Sequence, residues 1–538
     1  MDKLVIVGSG ASGVHFALSV LKKGYEVVML DVGYENPEPV NVNPEDTFND
    51  LKKNMNDPIS YFLGENYESV IYPDEKSEYY GIPPSKKFVF LKPAGFDFRS
   101  KGFAPLFSFA RGGLAEAWTG GVYPFNDHEL SDFPFNYRKI GPYYSEVADR
   151  IGIVGVQDDL AGLYPFHENI LEPISLDQHS RLLLDAYEGH KEYLNHNLKC
   201  YVGRSRISVL SRDRNERKGC SYTGRCLWGC PKQSLYVPSL TLNECRKYSN
   251  FTYIPNTYIT HFMFDSKRHI RSVVGHSTND GKPLEFPVDR LILAAGTLSS
   301  SKIFIDSIYK STGEIIRLHG LMDNRQILVP FLNLRMIGKS FKPETYQYHQ
   351  IVLNIEGDHP EENVHGQITT LKTSLIHPII QNLPLDLKTS IFMFRNIHAA
   401  LGVVNVNLHD RRREENFVTI EVNQGTDNAK LVINYSAAYG EKALIDESIK
   451  KVKKVLWKLG CIAPAKMIHI RPMGASVHYS GTIPMSFTKK EYTASQYCQS
   501  HDFDNLYFVD GTTLPFLPAK NLTFTLMANS VRVADCAF

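Results

Sequence analysis

The sequence has almost no net charge. Its 59 lysines and arginines against 58 aspartates and glutamates leave a formal charge of +1. A near-neutral chain has no overall field for the phosphates of nucleic acid or for anionic lipid, so we expect no nucleic-acid partner. The sequence also lacks an uncharged apolar run of the roughly twenty residues that a membrane span needs, so we predict no membrane span.

Cysteine is scarce as well, since eight in 538 residues exclude a disulfide-held scaffold. The uncharged stretch 4–21 has no basic start and no small-residue cleavage site, so it does not read as a secretory signal. We therefore expect a cytoplasmic protein. With 43% hydrophobic and 12% aromatic residues, the chain can bury a core large enough for more than one domain.

The start of the chain carries a strand–turn–helix–strand pattern. An apolar run at 3–7 leads into Gly8, Gly10 and Gly13, a stretch of helical spacing follows, and a second apolar run ends at Asp31. In dinucleotide-binding folds the first glycine makes a tight turn, the second lets backbone approach the pyrophosphate, and the third allows close helix–strand packing. The acid accepts hydrogen bonds from ribose hydroxyls. The pattern predicts a dinucleotide site without separating FAD from NAD.

Two further segments are rich in glycine and small residues. The stretch 111–124 carries Gly112 and Gly113 beside a helical turn, and a buried run at 291–294 ends in Ala295 and Gly296. Backbone without bulky side chains can pack closely on a flat ligand. We interpret both segments as backbone beside the nucleotide, while the paired glycines fit an ordinary tight turn equally well.

The second half of the chain predicts a different kind of sheet. Apolar and polar residues alternate at 402–408, 417–423 and 430–435, which is typical of an antiparallel meander with one wet face. A helix is predicted at 441–459. We therefore expect a doubly wound α/β nucleotide domain, built from several chain segments, and an α+β domain with an antiparallel sheet.

The last seventy residues hold the most distinctive motifs. His478 precedes a Gly-Thr pair by three residues, Asn505-Leu-Tyr-Phe-Val leads into Asp510-Gly511, and Asn521 comes just before a closing helix. Together with the N-terminal glycines and the Gly112 segment, these stretches resemble the glucose–methanol–choline (GMC) family of flavoprotein oxidoreductases, in family order and closest to its sugar-acting members.

The sequence departs from the family pattern at three places. Pro484 and Ser486 stand on either side of Met485 where the family usually has Arg and Gly, and Leu522 replaces the proline that usually follows the asparagine. These departures concern loop geometry rather than His478 or Asn521. A covalent histidyl–flavin bond needs a histidine in the stretch 112–121, and none is present, so non-covalent FAD is expected.

The resemblance implies oxidation of a hydroxyl group by FAD, with a sugar or glycoside as the expected substrate. His478 is the implied base, because removal of the hydroxyl proton accompanies hydride transfer to flavin N5, and Asn521 is the implied hydrogen-bond partner of the substrate oxygen. Asp510 and Gly511 are expected beside the flavin. O2 or an electron-acceptor protein is the expected acceptor. A lyase that keeps FAD without redox turnover is an alternative.

The resemblance also implies a division of the chain. The FAD-binding domain is expected to comprise 1–34, 85–150, 218–310 and 466–538, the substrate-binding domain 151–217 and 311–465, and an acidic, loop-rich excursion 35–84.

Three cysteines lie close together in sequence. Cys220, Cys226 and Cys230 are followed by Pro231, a spacing similar to that of iron–sulfur loops, and three thiolate ligands suit a three-iron cluster. Some sugar dehydrogenases of the resembled family have such a loop, so a dehydrogenase that passes electrons through a cluster to a protein or quinone is a second alternative function. Otherwise the three cysteines are reduced structural thiols. The basic residues around them form a solvated face or receive an acidic acceptor protein; they are Arg212, Arg214, Arg217, Lys218 and Arg225.

Overall fold

The computed structural model describes residues 3–36, 42–66, 82–165, 169–340, 342–371, 385–422 and 429–538. The α-helices in these residues are α1 Ala11–Lys22, α2 Phe48–Asn54, α3 Pro58–Leu63, α4 Tyr137–Ile151, α5 Gln178–Asn197, α6 Pro238–Cys245, α7 Thr297–Thr312, α8 Leu387–Ile397, α9 Glu441–Lys458 and α10 Thr523–Cys536. The β-strands are β1 Lys3–Val7, β2 Glu26–Leu30, β3 Phe98–Lys101, β4 Ile153–Val154, β5 Ile170–Leu171, β6 Cys200–Arg204, β7 Phe251–Ile254, β8 Thr257–Phe264, β9 Ile270–Ser277, β10 Pro283–Pro287, β11 Arg290–Leu293, β12 Leu318–His319, β13 Arg325–Asn333, β14 Ile351–Ile355, β15 Val364–Thr370, β16 Leu401–Leu408, β17 Asp410–Arg411, β18 Phe417–Glu421, β19 Lys430–Asn434, β20 Cys461–Ile462, β21 His469–Ile470, β22 Leu506–Phe508 and β23 Phe516–Leu517.

A five-stranded parallel sheet contains the predicted nucleotide motif. Its order is β22–β11–β1–β2–β7, so strands from both ends of the chain lie side by side. Helices α1, α4 and α10 pack on the face that carries Leu4 and Ile6, and α7 with β8 and β9 packs on the face of Val5 and Val7. Burial on both faces explains why β1 and β2 read as continuous apolar runs.

A second large sheet is antiparallel. Its order is β20–β13–β16–β15–β14–β6, and β21 also pairs with β13. One face is apolar and packs against α5 and α9 through residues such as Ile327, Leu353 and Val404. The prediction of a mixed α/β fold with a separate antiparallel sheet is thus confirmed. The predicted division of the chain into domains stays a prediction.

The predicted three-stranded meander is wrong in its pairing. Strands β18 and β19 pair antiparallel, but they belong to a four-stranded sheet with β12 and β3, whereas β16 lies in the large antiparallel sheet. The turn at 423–428 lies outside the described residues. Alternation of apolar and polar residues identifies a half-buried strand, but it carries no information on which distant strand becomes the partner.

Part of the predicted excursion at 35–84 is helical. Helices α2 and α3 lie within it, and they bury Leu51 and Phe62 together with Trp228 of the cysteine segment. The excursion is therefore not only a solvated loop, because its described part packs on the rest of the chain. Residues 37–41 and 67–81 of the excursion lie outside the described residues.

None of the helices in the described residues is long and apolar enough to cross a membrane.

Candidate active site

A cavity opens at the carboxyl ends of β1, β2 and β11. It measures about 1330 Å³ when counted to its open mouth. Apart from Gly13, every residue predicted to bind the cofactor lines it: Gly8, Gly10, Asp31, Gly112, Gly113, Ala295, Gly296, Asp510 and Gly511. The cavity is therefore lined by segments from the whole length of the chain.

The three motif glycines have different surroundings. Gly8 has a φ of +101°, and an added Cβ would lie 2.6 Å from the Ala294 carbonyl oxygen, so only glycine fits the turn. A Cβ on Gly13 would lie 2.3 Å from the Gly8 carbonyl oxygen, which shows how closely α1 packs on the turn. At Gly10 the nearest atom would be 4.0 Å away. Gly10 therefore leaves room for a ligand, as a pyrophosphate site requires.

Ser9 joins Asp31 to the second glycine segment. The Ser9 hydroxyl donates to the Asp31 carboxylate, and the Gly112 amide donates to Ser9 Oγ at 2.9 Å. The Tyr253 hydroxyl, on β7, also donates to Asp31 at 3.0 Å. Burial raises the pKa of Asp31 to about 7. Sequence reasoning did not find Ser9 or Tyr253, whose contribution depends on chain segments that meet only in the fold.

Asp510 ties two walls of the cavity together. Its carboxylate accepts hydrogen bonds from the amide of Gly296, at 3.0 Å, and from the side chains of Ser300 and Thr512. Burial raises its pKa. Asp510 therefore holds the start of α7 against the end of β22, and Gly511 follows it with no room for a side chain, since an added Cβ would lie 2.4 Å from the Tyr479 carbonyl oxygen.

His478 lies between two residues of the cavity wall, Val477 and Tyr479. Its Nδ1 is 2.8 Å from Asn324 Oδ1, and its Nε2 is 3.2 Å from Asn521 Nδ2. Its backbone amide donates to Asp323 at 2.9 Å. Burial lowers the pKa of His478 to about 4, so the imidazole is neutral at physiological pH.

The backbone at this point is strained. Val477 has a φ of +59°, which is an outlier for a β-branched residue. Such strain is maintained only where the surrounding structure fixes it, and it is concentrated at functional sites. Here the hydrogen bonds to Asp323 hold the segment that carries His478.

Asn521 lies opposite His478, immediately before α10. The structure thus brings together the two residues predicted to be catalytic. Asn521 Oδ1 accepts a hydrogen bond from Gln367 Nε2 at 2.9 Å. The preceding residue, Lys520, is 1% exposed and donates to Glu129, equally buried, at 2.6 Å. The start of α10 also lines the cavity through Leu522 and Thr523.

The antiparallel sheet turns a buried polar face towards Asn521. Gln326, Asn407, His365 and Asn354 stand opposite one another on four neighbouring strands, and Gln367 lies two residues after His365 on the same face. All five are at most 5% exposed. Within the described part of the chain, both polar atoms of Asn354, Nδ2 of Asn407 and Nε2 of His365 have no hydrogen-bond partner. Buried polar atoms without partners mark a place for water or a polar ligand.

The three clustered cysteines pack in a small apolar group with Tyr346 and Leu235. All three are thiols, and burial raises the pKa of Cys220 to about 11. Over the described residues, no group of three His, Cys, Asp or Glu side chains is placed to hold a metal ion. The structure therefore lends no support to the predicted three-iron cluster of Cys220, Cys226 and Cys230.

The basic residues near the cysteines are not one solvated face. Arg225 is 3% exposed, and its guanidinium donates to the carbonyls of Asn43 and Asp46 at 2.9 and 3.1 Å. Arg217 likewise donates to backbone carbonyls, among them that of Ser234 at 3.0 Å. The interpretation as a solvated basic face is wrong for these two side chains, because they anchor neighbouring loops.

Comparison with known proteins adds a family match and a fold. Residues 412–530 match the family model described as GMC oxidoreductase. The chain is similar to the fructose dehydrogenase large subunit of Gluconobacter japonicus, with 21% identity over 585 aligned residues that cover 99% of this chain and 97% of that protein.

Three solved structures have the same fold. They are pyridoxine 4-oxidase from Mesorbium loti (TM-score 0.58, 13% identity, 99% of both chains), a formate oxidase variant from Aspergillus oryzae (TM-score 0.61, 12% identity, 99% of this chain and 98% of that one) and an FAD-dependent oxidoreductase from Chaetomium thermophilum (TM-score 0.59, 12% identity, 99% of this chain and 98% of that one). The expected resemblance to the GMC oxidoreductases and the interpretation of the chain as an oxidoreductase are confirmed.

Proposed function

We propose that the chain binds FAD non-covalently in a Rossmann-like domain and oxidises a hydroxyl group of a polyhydroxylated small molecule, a sugar or glycoside. The cavity fits the cofactor: Gly10 leaves space where a pyrophosphate approaches, and Asp31 lies where a ribose binds. When bound, FAD supplies the electron sink that oxidation of an alcohol needs.

The observation that carries the substrate class is the buried polar face beside Asn521. A sugar presents several hydroxyl groups, each both a donor and an acceptor, which complement unpartnered amide and imidazole atoms such as those of Asn354, Asn407 and His365. An apolar alcohol would leave these atoms unsatisfied, at a cost of about 1–3 kcal/mol each. The likeness to a fructose dehydrogenase subunit points to the same substrate class.

His478 and Asn521 act on the reacting hydroxyl group in this proposal. The neutral imidazole of His478 takes the hydroxyl proton at Nε2, and the amide of Asn521 donates a hydrogen bond to the substrate oxygen. Residues of the sheet hold the remaining hydroxyls and orient the reacting carbon. Within the described residues no group of three His, Cys, Asp or Glu side chains is placed to hold a metal ion, and the proposal includes no iron–sulfur cluster. O2 or an acceptor protein reoxidises the enzyme.

The test is anaerobic absorption spectroscopy of the FAD-loaded protein with D-fructose, D-glucose and a methyl glucoside. We expect one of the three to bleach the flavin bands. We expect His478→Ala to keep bound FAD and to lose bleaching by at least about 100-fold. His469→Ala, an exposed histidine on β21, is the matched control and should behave as wild type.

The outcomes separate the alternatives. Bound FAD that no sugar or simple alcohol bleaches would favour the non-redox lyase. Normal bleaching in His478→Ala would remove His478 from the mechanism. Iron in stoichiometric amount in the purified protein would restore the cluster and the second electron route.

A further inference from the structure

The side chain of Asn324 has only one possible orientation. Its Nδ2 donates to the carbonyl oxygens of Leu408, at 2.8 Å, and of Pro518, at 2.9 Å. Carbonyl oxygens accept hydrogen bonds and never donate them, so the amide nitrogen must face them. Asn324 is 1% exposed, so bulk solvent does not compete for these two hydrogen bonds. The amide oxygen of Asn324 therefore points at His478.

This orientation determines where His478 carries its proton. The Asn324 oxygen lies 2.8 Å from His478 Nδ1 and can only accept, so Nδ1 must be the N–H of the imidazole. In the neutral ring the other nitrogen, Nε2, then has the free lone pair. Nε2 is the atom that faces Asn521 and the one that a base needs to expose.

The same logic continues to Asn521. Because Nε2 of His478 can only accept, the group 3.2 Å away must be the amide nitrogen of Asn521. The Asn521 oxygen then faces Gln367, whose Nε2 donates to it at 2.9 Å. The two backbone carbonyls thus orient Asn324. Through Asn324 they determine which atoms donate and which accept in the hydrogen-bonded series that runs through His478 and Asn521 to Gln367.

We propose that Asn324 is a positioning residue that holds His478 in the Nδ1–H tautomer and so keeps Nε2 ready to take a proton. The inference rests on the proposed function, in which His478 is the base. Asn324 does not touch the substrate in this proposal. It acts through His478, and through the carbonyl of Pro518 it also anchors the loop that carries Asn521.

Asn324 is neutral, unlike the carboxylate that orients a catalytic histidine in other enzymes. The titratable groups near His478 include Asp323, which accepts from its backbone amide, and His365 on the facing strand, with Lys520 and His349 beside His365 in turn. None of these accepts the Nδ1 proton. A carboxylate in place of Asn324 would hold the same tautomer but stabilise the charged imidazolium, and so raise the pKa of His478.

The direct test is ¹⁵N NMR of the FAD-loaded protein labelled at histidine, with His478 assigned by its absence from the spectrum of His478→Ala. We expect Nδ1 to be protonated and Nε2 to be unprotonated at neutral pH. This readout needs no substrate and no variant of Asn324. An Nε2-protonated ring would overturn the inference even if His478 proves essential for flavin reduction.

Two variants test the consequence for catalysis, with the bleaching sugar as the probe. Asn324→Ala should keep FAD and sugar binding but lower the anaerobic rate of flavin reduction at least about tenfold, because the reactive tautomer is no longer enforced. Asn324→Asp should restore part of that rate and move the acid limb of its pH profile upwards.

Asn333→Ala, at the other end of β13, is the matched control, since the Asn333 side-chain oxygen accepts from the nearby Arg335 amide, at 3.0 Å, and this bond lies away from His478. A wild-type rate and pH profile in Asn324→Ala would overturn the inference. If His478→Ala nevertheless loses flavin bleaching, the proposed function stands and only the role of Asn324 is rejected. The two proposals can therefore fail separately. If the Asn324 variants do not fold, the NMR spectrum of the wild-type protein decides.

Discussion

At the scale of the residue, Gly10 and Gly13 differ in what a side chain would meet. A Cβ on Gly13 would clash with the Gly8 carbonyl at 2.3 Å, whereas Gly10 has a φ of −63° and faces the cavity. Gly13→Val should therefore destabilise the fold by at least about 3 kcal/mol. Gly10→Val should leave the fold stable and weaken FAD binding more than tenfold, or about 1.4 kcal/mol. Thermal unfolding and FAD fluorescence titration measure the two effects.

These two variants test the cofactor assignment rather than the fold alone. Equal loss of stability in both would mean that Gly10 is a packing residue like Gly13. Unchanged FAD affinity in Gly10→Val would mean that the pyrophosphate does not approach the turn.

His478 gives the second prediction at this scale, which concerns pH. Because burial lowers its pKa to about 4, the neutral form that acts as base predominates above that pH and is lost as the pH falls through it. The rate of flavin reduction should be flat from about pH 6 to 8 and should decline only as the pH approaches 4. Anaerobic stopped-flow measurements across this range test it. An acid limb centred near the ordinary histidine pKa of about 6.5 would contradict it.

At the scale of the element, the loop before α10 is anchored by a buried ion pair. Lys520 donates to Glu129 at 2.6 Å and to the carbonyls of Pro124 and Leu163 at 3.0 and 2.7 Å, so all three of its protons are used. Removal of one member leaves an uncompensated buried charge, which costs about 3–5 kcal/mol. Lys520→Met should therefore lower the thermal unfolding midpoint strongly.

The double variant Lys520→Met with Glu129→Gln should recover a large part of that loss, because it removes both charges. Additive losses in a double-mutant cycle would mean that the two side chains do not interact. The exposed pair of Lys247 and Glu216, at 3.3 Å, is a suitable control, and its disruption should leave the unfolding midpoint almost unchanged.

The helices and strands also show which parts of the fold could be predicted from the sequence. The strand at 3–7, the strand before Asp31, the helix at 441–459 and the helix after Asn521 follow from local periodicity and glycine signals, and all four exist in the structure. Glycine turns and the spacing of apolar residues are local signals, so they can be read without knowing which distant segments these elements contact. The assignment of β16 and β18 to one sheet failed because strand pairing is a long-range choice that local alternation does not encode.

The residues of the candidate site also differ in whether they could be predicted from the sequence. His478 and Asn521 could be found because they belong to a recognisable motif. Asn324 and Gln367 could not, since one is a polar residue just before β13 and the other a polar residue in the middle of β15. The role of each depends on a hydrogen bond to a residue 154 positions away in the chain. Buried polar contacts across such separations leave no pattern in a single sequence.

At the scale of the whole molecule, the cofactor cavity connects distant parts of the chain. Val7, Phe109, Gly296, Tyr479 and Thr523 all line it, and they come from β1, the Gly112 region, the start of α7, the His478 segment and α10. Strands β1 and β22, from opposite ends of the sequence, flank β11 in the parallel sheet. A ligand in this cavity therefore contacts segments from the beginning, the middle and the end of the sequence at once.

Binding of FAD should accordingly stabilise the whole molecule. A ligand that binds only the folded state adds RT ln(1 + [L]/Kd), about 2.7 kcal/mol at one hundred times the Kd. The unfolding midpoint should rise with each increment of FAD. When the cavity is filled, the parallel sheet and the C-terminal segment should unfold together. Gly10→Val should show a smaller rise at the same FAD concentrations, because its added side chain occupies the space where the pyrophosphate approaches and raises the Kd. A midpoint that is independent of FAD in the wild-type protein would mean that the folded chain does not bind FAD, and the proposed oxidation of a sugar would lose its electron acceptor.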